Sequence, residues 1–174
     1  NGDHKIALAF GGEISADQAK NIILSISDVR IINEKIEAKI VLKNTSSTNF
    51  FTVSTKPIRL SWRFVQISPS GERLLEPGWD ARQDLAWTIA PGDSRQIAIL
   101  TDLPKIPGNY LFEVSLVQEG VAWLQNLGMG IASAQITVGS LNGDHKIALA
   151  FGGEISADQA KGIILNFSNV EIFN

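Results

Sequence analysis

Residues 1–20, NGDHKIALAFGGEISADQAK, recur letter for letter as residues 142–161. The alignment runs on to Asn33 and Asn174 at an offset of 141, with 27 identities over 33 positions. The substitutions are Asn21/Gly162, Ser25/Asn166, Ile26/Phe167, Asp28/Asn169, Arg30/Glu171 and Ile32/Phe173. An engineered overlap would copy the segment without change. Drift confined to one end is what two natural neighbours in a tandem array show. A period of 141 residues is far longer than a solenoid repeat and suits one whole domain per unit, so it predicts beads in series.

The second copy ends at Asn174, without the strands that follow the first copy in sequence. An apolar strand without its partner is a template for pairing with another chain. Strand donation from the second copy into a neighbouring molecule, propagating head to tail, is therefore the expectation. The apolar residues that would carry it are Ile147, Leu149, Phe151, Ile163, Leu165, Phe167, Val170 and Ile172. The expected partners are copies of the same chain, as tandem neighbours or as a head-to-tail polymer. The alternative is a tail that packs against its own domain.

Between the copies the pattern is that of β-strands. Ile36, Ala38, Ile40 and Leu42 alternate with Glu37, Lys39 and Val41. Ile58, Leu60, Trp62 and Phe64 alternate with Arg59, Ser61 and Arg63, predicting a half-buried strand with a solvated basic face. Ile97 and Ile99, then Tyr110 to Leu116, then Ala134 to Val138 repeat the pattern. Pro69-Ser70-Gly71, Pro91-Gly92-Asp93 and Pro107-Gly108-Asn109 supply turns. With 44% hydrophobic residues a core is available, and strands at this spacing predict an all-β, Ig-like antiparallel sandwich of about seven strands. Tyr110, just after a Pro-Gly turn, is placed to form a tyrosine corner. In the repeated segment, Lys5 to Phe10 is strand-like. Ser15 with Asp17 and Lys20 predicts a short capped helix, and Ile22 to Ile32 is strand again. The organisation expected is a connector over 1–21, the sandwich over 22–141, and the start of the next repeat over 142–174. The connector is not Gly/Ser/Pro-rich, which predicts a junction of fixed geometry.

Four stretches carry a resemblance. Arg59-Leu60-Ser61-Trp62-Arg63-Phe64, the Pro91-Gly92-Asp93 and Pro107-Gly108-Asn109-Tyr110 turns, and Leu116-Val117-Gln118-Glu119-Gly120-Val121-Ala122-Trp123-Leu124 resemble a bacterial Ig-like β-sandwich module. That module is often appended to glycosyltransferases and other cell-surface polysaccharide proteins. The likeness spans about 70 residues, and Leu124 stands where Phe is expected. It implies fold more than role, and with the repeat it places the chain at the bacterial cell surface or outside the cell.

Chemistry is sparse. A formal charge of −3 gives no nucleic-acid footprint, and no apolar run is long enough for a membrane span. There is no Cys, and the only histidines, His4 and His145, occupy one repeat position, so no His/Cys metal set is available within one unit, and no Ser-His-Asp set is assigned. Glu72, Glu76, Asp80 and Asp84 lie close in sequence but form no catalytic spacing. No catalytic, cofactor-binding or metal-ligating residue is assigned. A glycan-binding patch of Trp79, Asp80, Arg82 and Trp87 is the alternative to a purely structural role, since indoles stack on sugar faces and charged groups bond hydroxyls. Packing beneath a long loop is the competing reading for these tryptophans. Glu119 is expected to cap a turn and Trp123 to close the end of the core.

Overall fold

The computed structural model describes residues 12–32 and 34–139, and the backbone of Ala148–Ala150. The predicted helix forms first. Ser15 is its N-cap, with Oγ accepting from the Gln18 amide at 3.1 Å, and α1 covers Ala16–Lys20, with Asp17 in the first turn and Lys20 in the last. The strands that follow are β1 (Ile22–Ile32), β2 (Lys35–Asn44), β3 (Phe50–Phe51), β4 (Ile58–Ile67), β5 (Arg73–Leu75), β6 (Gln83–Asp84), β7 (Thr88–Ile89), β8 (Ser94–Asp102), β9 (Gly108–Gln118), β10 (Ala122–Trp123), β11 (Ala132–Val138) and β12 (Ala148–Ala150). A 3-10 turn at Leu124–Leu127 links β10 to β11. The long strands coincide with the alternating stretches of the sequence; the two- and three-residue ones do not announce themselves there.

All the described pairings are antiparallel. One sheet has the order β1-β2-β8; the larger has β12-β11-β9-β4-β5, with β10 against β9 and β6 against β4. A small β3-β7 pair stands apart. One hydrophobic cluster joins the sheets. Ile36, Ala38, Ile40 and Leu42 of β2 and Ile97 and Ile99 of β8 meet Leu60 of β4, Phe112, Val114 and Leu116 of β9, and Ile136 of β11. The fold is all-β and sandwich-like, as period-two alternation on both sheets requires. Trp62 and Phe64 pack half-buried against this cluster. The tyrosine corner is present: the Tyr110 hydroxyl donates to the Ile106 carbonyl at 2.7 Å.

Two expectations change. The connector boundary at residue 21 falls inside the packed body, because Ile14 and Ala19 are buried in the same cluster. The outer face of β4 is not solvated: the Arg63 side chain is only 13% exposed, because the segment carrying β5 and β6 folds back over it.

Candidate functional site

Two gatherings of polar side chains among the described residues bear on function. The first is where the repeated segment enters the bead. Gln118 ends β9, and its buried side chain serves both ends of its amide: Oε1 accepts from the Ile14 amide at 2.8 Å, and Nε2 donates to the carbonyls of Gly12 at 3.0 Å and Lys56 at 3.1 Å. Gln18 Nε2 donates to the Asn49 carbonyl at 3.1 Å, and Lys56 pairs with Glu13. On the other side of α1, Gly128 closes the 3-10 turn at φ 99°. A β-carbon there would lie 2.9 Å from Lys20 Cγ, so the glycine both permits the left-handed turn and makes room for Lys20. The entry segment is thus fixed by backbone hydrogen bonds on one flank and close packing on the other.

At the far edge of the larger sheet, β12 pairs with β11 in the register Ile136↔Ala150, Thr137↔Leu149 and Val138↔Ala148. Residues 148–150 belong to the second copy of the repeat, equivalent to 7–9 of the first. Leu149, one of the residues expected to carry assembly, therefore lies on the sheet of its own chain. Ile147, Phe151, Ile163, Leu165, Phe167, Val170 and Ile172 lie outside the described residues, as do His4 and His145.

The second gathering is a charged and aromatic ladder on the outer face of β4 and β9. The register sets Arg63 opposite Glu113 and Ser61 opposite Ser115. Glu113 is 2% exposed; it accepts from Arg63 Nε at 2.8 Å and pairs with Arg73. Arg63 also donates to the Pro77 carbonyl at 3.1 Å and to Glu76 at 3.2 Å. Its guanidinium lies 4.5 Å above the Trp79 ring, Trp79 sits 5.6 Å from Trp123, and Arg82 lies 4.7 Å above Trp123. Arg82 donates to Glu119 at 3.1 Å and to Ser61 at 3.0 Å, and also bonds the Trp79 carbonyl. Arg59 joins Glu119 to Asp84. Burial opposes the charge on Arg73, but its bonds to Glu113 and Glu76 prevail and hold its pKa above the ordinary value; Asp84 and then Glu119 raise that of Arg59.

Of the four glycan candidates, the structure brings Trp79 and Arg82 together. Asp80 is exposed beside them. Trp87 belongs elsewhere: its amide donates to Thr52 Oγ1 at 2.9 Å, its carbonyl accepts from the Thr52 amide, and its ring packs on the core. Trp123, not Trp87, is the aromatic partner of Trp79. Glu119 is an ion-pair partner of Arg59 and Arg82 rather than a turn cap. Glu76 and Asp84 of the acidic stretch are likewise taken up by arginines.

No family model matches the chain, and no curated protein matches it. Among solved structures it is similar to a Kluyveromyces marxianus β-glucosidase in complex with glucose, at 14% identity and a TM-score of 0.43, over 78% of this chain and 15% of that one. A penta-heme cytochrome c552 from Thermochromatium tepidum matches at 11% identity and a TM-score of 0.38, over 72% of this chain and 42% of that one. The chain thus spans less than half the length of each, and likeness at this level carries no argument about function.

Proposed function

We propose that this chain is a structural repeat unit of a bacterial surface or extracellular filament, an Ig-like bead joined head to tail to its neighbours through the duplicated segment. One observation carries the reading: drift between the two copies follows the burial of the first. Ile14, Ala19, Ile22, Leu24 and Val29 are the buried positions of the described part of the first copy, and all five recur as Ile155, Ala160, Ile163, Leu165 and Val170. The six substituted positions, Asn21, Ser25, Ile26, Asp28, Arg30 and Ile32, are exposed or half-buried. Asp28 and Arg30, ion-paired at 2.8 Å, change together to Asn169 and Glu171. None of the substitutions falls on a fully buried position, and the one that packs partly against the core, Ile26 to Phe167, stays apolar, which supports reading the second copy as the opening of another bead of the same fold.

The Gln118 amide and the Lys20–Gly128 contact support a stiff junction, since each later bead would seat its entry segment in the same way. The location at the cell surface rests on the resemblance of the Arg59–Phe64 and Leu116–Leu124 stretches. The carbohydrate-binding alternative rests on Trp79 and Arg82, where Arg63 and Trp123 already lie against the indole.

The test is a chain of two or three 141-residue units in series, measured by small-angle scattering. A bead with eleven-residue strands is about 36 Å long. A stiff array adds a constant step of about that size or more per unit. Growth as the square root of unit number, as for beads on flexible tethers, overturns the reading. Glycan-array binding lost in Trp79→Ala would transfer the chain to the carbohydrate-binding class.

A further inference from the structure

The two copies of the repeat do different work around one bead. The first supplies the entry segment, from Gly12 through α1 to β1. The second supplies β12, which covers the backbone edge of β11. Ala148–Ala150 is identical to residues 7–9, and the identity extends to both flanks, so the β11 edge cannot tell the copies apart by side chain. Only the tether selects between them.

Chain length excludes the first copy of the same molecule from the β12 register. Ala150 sits opposite Ile136, which sits opposite Tyr110, and Gln118 lies eight residues further along β9. That distance is about 26 Å at the rise of a β-strand. The equivalent of Ala150 is Ala9, three residues from Gly12, a span of at most about 11 Å. The Gly12 carbonyl is held by the Gln118 side chain, and the length of that side chain does not close the gap. A first copy belonging to a second molecule carries no such constraint.

We infer that the β11 edge is an acceptor for residues Lys5–Phe10 of a second copy of this chain, which add as an antiparallel strand whenever the chain's own Ala148–Ala150 is withdrawn. This rests on the same duplicated segment as the tandem-bead reading. The strand a bead receives from the second copy of its own chain is then interchangeable with the strand offered by the first copy of another chain. Main-chain hydrogen bonds supply the attraction, and the alternating apolar side chains of KIALAF set which face turns inward. Each molecule carries both an acceptor edge and a first copy, so the contact is head to tail and does not close on itself by necessity.

The experiment uses the full chain. Leu149→Pro places a residue without an amide proton in the middle of β12 and leaves Leu8 intact. Sedimentation and size-exclusion chromatography of this variant should show concentration-dependent oligomers beyond any that the parent chain forms under the same conditions. Leu8→Pro combined with Leu149→Pro should lose them, and a synthetic peptide of residues 5–10 should disperse the oligomers of the single variant. A Leu149→Pro variant that gains no oligomers and keeps native tryptophan fluorescence overturns the inference, as do oligomers or aggregates that persist unchanged in the double variant. The tandem reading fails separately: a multi-unit chain that does not lengthen in constant steps sinks it whatever the strand exchange shows, and constant steps preserve it even if exchange fails.

Discussion

Arg63 holds a carboxylate that has almost no access to water: its Nε donates to Glu113 at 2.8 Å, directly across the β4–β9 ladder. A buried carboxylate is tolerable only when paired and bonded, and Arg73 supplies the second partner. Arg63→Met should therefore destabilise the bead by about 3 kcal/mol, the lower part of the range for breaking a buried pair, because Arg73 remains. Adding Glu113→Gln should recover part of the loss. Urea unfolding of the two single variants and the double variant measures the coupling, and purely additive losses would show that the pair is not a unit.

Trp79 and Trp123 should couple as well. Their rings are 5.6 Å apart, each beneath a guanidinium. A double-mutant cycle with Trp79→Ala and Trp123→Ala should give an interaction of about 1 kcal/mol beyond the lost burial. Trp87→Ala with Trp123→Ala should be additive, since Trp87 lies with Thr52 at the β3–β7 pair. Denaturation followed by far-UV circular dichroism distinguishes the two cycles.

The long strands were legible because the core-facing apolar residues of β2, β4, β8, β9 and β11 recur in period two, and the helix because Ser15, Asp17 and Lys20 sit where capping and the helix dipole want them. The ladder was not. Arg59, Ser61 and Arg63 read as a wet face because alternation reports only which side is apolar, and the cover comes from residues 73–84, which pair with β4 in strands of two or three residues. The pairing of Trp123 with Trp79 is hidden in the sequence for the same reason: the two lie some forty residues apart, and only the β9–β10 reversal brings Trp123 over the loop. Gln118 gave no signal at all. A glutamine within an apolar strand end looks neutral until the entry segment arrives to use both ends of its amide.

Gln118→Ala should loosen the entry segment selectively. It leaves the Ile14 amide and the Gly12 carbonyl without their partner, while the Lys56 carbonyl keeps its bond from Ser54 Oγ at 2.6 Å, at about 1–3 kcal/mol for each unpartnered group that stays buried. Amide exchange should accelerate through Ile14 to Lys20 and leave the centre of β9 protected. Equal acceleration in both would place Gln118 in the global core rather than at the junction.

Tyr110 is the chain's only tyrosine, so its ionisation can be followed alone by ultraviolet absorbance. Burial raises its pKa above the ordinary value near 10, and the neutral hydroxyl donates to Ile106. Below pH 10 the hydroxyl is neutral in both folded and unfolded chains, and its contribution to stability is complete. Between the ordinary value and the raised one only the unfolded chain ionises, so stability falls with rising pH until the folded chain ionises too. Tyr110→Phe should lower stability by about 1 kcal/mol at neutral pH through loss of the corner bond. It should also remove this part of the alkaline decline, so that parent and variant converge above pH 10. Parallel curves through that range would show that the tyrosine corner does not govern the alkaline limb.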